Sequence, residues 1–229
     1  MKPGSCHRFS AGSIGISGSI YRRSKSSTGN PTAVADKLVD LLMRQPLRLH
    51  PASFCPVVTQ IEVEIARRRP RSLMLGYIVT GKIDNISMPP AAEAVRTDEL
   101  WRHTCFEAFV RGSPGEAYYE FNFSPSTQWA AYRFDGYRNG MRVANEISDP
   151  GIEVESSPAR YILHASVDLD ELLLPASGSG RENGTIWHLG LSAVIEEAGG
   201  LQSFWAVAHP KGKPDFHRSD CFALEVPEA

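Results

Sequence analysis

The chain has 229 residues, 42% of them hydrophobic, enough for one domain with a full apolar core. Its 24 basic and 26 acidic side chains leave a formal net charge of −2, so no global field draws it to nucleic acid or to an anionic membrane. Four cysteines, Cys6, Cys55, Cys105 and Cys221, lie far apart without a CxxC spacing, and no apolar run reaches membrane-spanning length. These features predict reduced thiols in a soluble cytoplasmic protein of bacterial type.

Residues 1–43 read as a flexible extension. "YRRSKSSTGN" has neither helical nor strand periodicity, and its composition cannot offset the entropy of ordering. Within it, residues 32–42 suit a short amphipathic helix with Thr32 as N-cap and Val34, Leu38, Leu41 and Leu42 on one face. Met43 opens "MRQPLRLHP" and is a candidate translation start.

From Leu47 onward the chain breaks into short runs rich in β-branched and aromatic residues, separated by Pro, Gly, Asn and Ser. "VTQIEVEIARR", "SLMLGYIVTGKI", "AYYEFNFSPS", "QWAAYRFDGYR", "TIWHLGLSAVIEE" and "LQSFWAVAHP" are among eight such stretches. Their spacing predicts an all-β antiparallel sandwich over residues 44–229, with Phe106, Phe121, Phe123, Tyr132, Trp187, Leu189 and Leu191 in its core.

"LWRHTCFEAFV", Leu100 to Val110, reads as a strand with Phe106, Ala108 and Val110 facing inward and Trp101, His103, Cys105 and Glu107 facing outward. In "YYEFNF", Tyr119, Phe121 and Phe123 oppose Tyr118, Glu120 and Asn122. "SPSTQ" then makes a turn of hairpin length, and in "WAAYRF" the set Ala130, Tyr132 and Phe134 is assigned inward, leaving Trp129 and Arg133 outward. If these strands are neighbours, Trp101, His103, Glu107, Glu120, Asn122, Trp129 and Arg133 meet on one surface. Indole stacks on the C–H face of a pyranose, and carboxylate, amide and guanidinium groups bind its hydroxyls, so that surface suits a sugar. The opposing reading is a solvated face of cross-strand ion pairs.

"LWRHTCFEAFV", "YYEFNFSPSTQWAAYRFDGYRNGM", "LSAVIE" and "SFWAVAHPKGKPDFH" together resemble the bacterial DOMON-like proteins, related to DOMON domains and to family-9 carbohydrate-binding modules. The resemblance covers about Leu47 to Val226. It implies a sandwich of immunoglobulin-like or jelly-roll appearance whose relatives bind sugars or haem. Trp101, Glu107 and Asn122 match the order of residues lining the cleft in the sugar-binding relatives, with Trp205 a second aromatic by position. "RHTCFE" departs from their usual Asp, which argues against a calcium site and against the same sugar specificity.

The sequence also offers other constellations. Haem ligands could come from Met74, Met88 or Met141 with His103, His164, His188, His209 or His217, although no CxxCH motif occurs. Zinc could use His103, Cys105, His209, His217 and Cys221, at spacings unlike those of a common closed site. Glu107 and Glu120 also fit the carboxylate pair of a glycosidase. In "AHPKGKPDFH", His209 can border a ligand pocket, while Asp215 is expected to cap a turn by accepting backbone amides. An interaction domain without a small ligand, presenting Tyr118, Trp129, Tyr137 and Trp205, is the remaining alternative. The reading that emerges is a non-catalytic carbohydrate-binding domain using Trp101, His103, Glu107, Glu120, Asn122, Trp129, Arg133, Trp205 and His209, with no cofactor and no metal.

Overall fold

Alternation in "VTQIEVEIARR" translates directly into structure. Ile61, Val63 and Ile65 are fully buried, whereas Glu62 and Glu64 point outward and both pair with Arg44 on the adjacent strand. A strand with one apolar and one charged side must lie on a layer with one face in water. The computed structural model describes residues 39–68, 72–113, 115–168, 172 and 186–227, all within one compact unit.

That back layer consists of β1 (Val39–Leu49), β2 (Val58–Arg68), β3 (Ser72–Gly81), β8 (Glu153–Ser157) and β9 (Arg160–Asp168), in the order β1-β2-β3-β9-β8. The front layer contains β4 (Cys105–Gly112), β5 (Tyr118–Phe123), β6 (Trp129–Phe134), β7 (Arg142–Val143), β10 (Ile186–Glu196) and β11 (Gln202–Ala206), in the order β7-β6-β5-β4-β10-β11. A last strand, β12 (Leu224–Pro227), pairs with the start of β10. All these pairings are antiparallel. Short pairing of β1 with β11, through Arg48↔Ala206 and Leu49↔Trp205, joins the layers into one curled sheet. No α-helix occurs among the described residues, only three short 3-10 turns.

The expected all-β sandwich is therefore present. Its core is closed by Leu75, Tyr77 and Leu163 from behind and by Phe106, Phe121 and Leu191 from in front. Six of the seven predicted core residues lie in it; Tyr132 is buried, but in a second cluster on the far side of the front layer. Among the described residues, Cys55, Cys105 and Cys221 are free thiols, all buried.

Residues 1–38, including most of the expected helix over 32–42, lie outside the described residues. Residues 39–42 are strand: Leu41, Leu42 and Met43 pair with Arg67, Ala66 and Ile65, so ladder hydrogen bonds to β2 prevail there over helical periodicity.

The middle of the front layer has no wet side. Every residue of β5 is buried, although three of six belong to the outward set. Those residues are covered by the segment from Val207 to Cys221, between β11 and β12, which lays Phe216 and His217 over the sheet.

Candidate functional site

A five-residue turn decides which side chains share this covered face. Ser124 N–H donates to the carbonyl of Gln128, and Thr127 adopts a left-handed conformation at φ 74°, giving a three-residue loop. An odd loop pairs like parities, and Phe123 faces Trp129, Phe121 faces Ala131 and Tyr119 faces Arg133. The expected assignment for β6 is thus inverted. Trp129 and Arg133 point to the core side, and Ala130, Tyr132 and Phe134 join Tyr118, Glu120 and Asn122 on the covered face. Trp129 is buried beneath the Arg96 guanidinium, 4.1 Å from its ring centroid. The Arg133 guanidinium lies 5.7 Å from the Tyr119 ring.

Correct register brings the acids together. β4 and β5 pair Glu107 with Asn122 and Phe109 with Glu120, placing the two glutamates as diagonal neighbours on one face. β10 sets Ser192 opposite Glu107, and its hydroxyl donates to Glu107 Oε2 at 3.0 Å. Asn122 donates from Nδ2 to Glu120 Oε1 at 2.8 Å and accepts at Oδ1 from the Cys105 thiol at 3.6 Å. Asn122 is fully buried and supports Glu120 from below.

Burial dominates the electrostatics. It pushes the Glu107 carboxyl up to about 8, with the neighbouring Glu120 charge acting in the same direction. Burial raises Glu120 too, against the hydrogen bond from Asn122. The Cys105 thiol is pushed far up by burial and then by both carboxylates, which keeps it protonated and unsuited to nucleophilic attack.

Above the acids sits His217, edge-on to Phe109 and Phe134 at 5.2 and 5.1 Å between ring centroids. Tyr118 Oη accepts from Arg138 N–H at 3.3 Å and shares a hydrogen bond with His217 Nδ1 at 2.8 Å. The other ring nitrogen, Nε2, faces Glu120 Oε2 at 3.6 Å. Burial lowers the His217 pKa to about 4, so the ring is neutral near pH 7. Asp215 caps the turn as expected, accepting from His217 N–H at 3.3 Å, and also receives Tyr137 Oη at 2.5 Å and Arg138 Nη2 at 2.9 Å.

These groups enclose a cleft of about 320 Å³. Glu107 and Glu120 line it together with Arg138, Asp215 and His217, and Trp101 stands at its rim, 44% exposed. Trp101 belongs to a 3-10 turn, Leu100–Arg102, rather than to the expected strand, which starts only at Cys105. Glu99 just before it is left-handed at φ 62°, so the chain turns sharply and leaves the indole beyond the sheet edge.

The other predicted site residues lie elsewhere. His103 lies outside the cleft lining, its Nδ1 2.8 Å from Glu196 Oε2. Trp205 is in the sandwich core, donating from its indole to Ser203 Oγ at 3.0 Å. His209 packs edge-on against His50 at 4.8 Å, with its Nε2 2.7 Å from the Arg48 carbonyl, and lines a separate depression. Met141 and His217, both weighed as haem ligands, do line the cleft, but both His217 nitrogens face protein groups. No cluster of three or more His, Cys, Asp or Glu suited to a metal occurs among the described residues.

No protein-family model matches the chain, and no curated protein matches it in sequence. Among solved structures, a chain from Bacteroides uniformis described as a "putative carbohydrate-binding protein" superposes with a TM-score of 0.58 at 15% identity, covering 81% of this chain and 86% of that one. At this identity the likeness is one of fold.

Proposed function

We propose that this domain binds a carbohydrate in the cleft beneath Trp101 and releases it unchanged. The observation that carries the reading is a half-exposed indole at the rim of a pocket whose floor holds two buried carboxyl groups. A sugar ring needs both: an aromatic face for its C–H side, and fixed polar atoms that are worse off without its hydroxyls than with them. A volume of about 320 Å³ falls at the small end of ligand pockets and suits one or two sugar rings. The fold shared with the Bacteroides uniformis protein supports this reading, as does the resemblance to DOMON-like proteins, which we carry as part of the proposal. Three free buried thiols accord with a cytoplasmic location.

Binding is favoured over hydrolysis by where the acids stand. Glu107 and Glu120 rise from adjacent strands on one wall, whereas glycosidase carboxyls flank the scissile bond. The test is a glycan array followed by tryptophan-fluorescence titration of each hit. Binding that perturbs Trp101 fluorescence is expected; an array without hits would overturn the proposal.

A further inference from the structure

Each carboxyl on the cleft floor keeps one oxygen that no described residue hydrogen-bonds. Glu107 Oε2 accepts from Ser192, and Oε1 accepts from none; Glu120 Oε1 accepts from Asn122, while His217 Nε2 stands 3.6 Å from Oε2, beyond hydrogen-bond length. Both side chains are more than nine-tenths buried, and both line the cleft. Both oxygens open onto the cleft, where a ligand's donor can reach them.

Counter-charge is scarce. Among the described lining residues three carboxyls face one guanidinium, and Arg138 turns Nε and Nη2 toward Asp215 Oδ1. Arg138 is the one cation whose charge acts on both acids. The other groups beside them are uncharged or acidic near neutral pH: Cys105, Ser192 and Tyr77 around Glu107, and Asn122, Tyr118, Tyr132 and His217 around Glu120. The rest of the lining is rich in rings, from Trp101, Phe109, Phe134, Phe204 and Phe216. Aromatic faces attract an organic cation and offer nothing to a hydrated metal ion.

We infer that the cleft selects a ligand bearing a protonated amine, seated with its ammonium on Glu107 and Glu120 among the aromatic rings. Joined to the carbohydrate reading, on which this half of the inference rests, the ligand class is an amino sugar with a free amine. The ammonium stabilises the carboxylate form, so the proton that Glu107 holds in the empty cleft passes to solvent as the ligand enters. No covalent bond changes.

Calorimetry at pH 7, in two buffers of different ionisation heat, reads both halves. The probes are a de-N-acetylated glucosamine trisaccharide, its N-acetylated counterpart, the glucose trisaccharide and tetramethylammonium. The free-amine sugar should bind at least about tenfold tighter than the other two sugars and release up to about one proton. Glu107→Gln should abolish that preference and the proton release together; circular dichroism of the variant shows whether it folds, and if it does not, the wild-type series still decides. Equal or tighter binding of the neutral sugars, or no proton release, overturns the inference while leaving the carbohydrate reading standing. Binding of tetramethylammonium without any sugar supports the cation site and removes the carbohydrate reading, and binding of none of the probes overturns both.

Discussion

Tyr77, fully buried in the back layer, donates a 2.7 Å hydrogen bond across the sandwich to the main-chain carbonyl of Glu107. Burial, followed by the charges of Glu107 and Cys105, raises the phenol pKa well above its ordinary value, so it remains a donor at any physiological pH. The bond ties the strand carrying the deepest acid to the opposite sheet. Tyr77→Phe should cost about 1–2 kcal/mol, as for a lost buried hydrogen bond. In a domain of this size that lowers Tm by about 2–8 °C, measurable by calorimetry. An unchanged Tm would show that the cross-layer bond contributes nothing.

The tryptophans divide by position. Trp101→Ala removes a ring already 44% exposed and should cost under about 0.5 kcal/mol while abolishing ligand binding. Trp129→Ala and Trp205→Ala open the sandwich core and should each cost about 3–5 kcal/mol by urea unfolding. A large stability loss in Trp101→Ala would place that ring among the packing residues.

Stability should fall as pH rises from 6.5 to 8. Glu107, raised by burial to about 8 from 4.5, binds more protons folded than unfolded across that interval, so folding weakens as pH rises through it. Glu120, also raised by burial, adds to the trend. His217, lowered by burial from 6.5 to about 4, has the opposite slope, but only between those two values. The two effects offset one another from about pH 4.5 to 6.5, and the carboxyls act alone above. Unfolding free energies from urea titrations at pH 6.5 and pH 8 should differ by about 1–2 kcal/mol in the wild type and by much less in Glu107→Gln.

Arg96 forks between three main-chain carbonyls, of Ala131 at 3.2 Å and of Ala144 and Ile147 at 3.0 Å each, while covering Trp129. Arg96→Ala should cost about 2–3 kcal/mol, because the carbonyls lose charged donors and the indole loses its cover. Arg96→Lys should recover less than half of that, since a single ammonium cannot span the three acceptors. Full recovery in thermal melts would assign the effect to charge alone.

Much of this architecture was readable from alternation. Ile61, Val63 and Ile65 against Glu62 and Glu64 define a one-sided strand, and Phe106, Phe121 and Leu191 announce core positions without further information. The site was readable only in part. Glu107, Glu120 and Asn122 share one face because β4 and β5 obey simple parity, while Trp101 reaches the same cleft from a 3-10 turn before β4; Trp129 and Arg133 face the other way because of a loop of odd length closed by Thr127, a β-branched residue that rarely turns left-handed. Arg138 carries no local signal, and Asp215 and His217 show only a capped turn and a candidate metal or haem ligand, not a place beside the two acids. Arg138 arrives from the loop after β6, and Asp215 and His217 from a segment about one hundred residues distant that folds over the sheet, a tertiary fact that periodicity does not encode. The burial of Glu107 and Glu120, and hence their chemistry, follows from that same cover.

The Ser124–Gln128 turn fixes how this region can change over evolutionary time. Inserting or deleting one residue there would turn β6 over, sending Arg133 toward the cleft and Tyr132 into the sandwich interior. Two-residue changes would keep both layers intact. Homologues should therefore differ in length at this point by even numbers, and an orphan odd-length variant should carry a compensating bulge in β6.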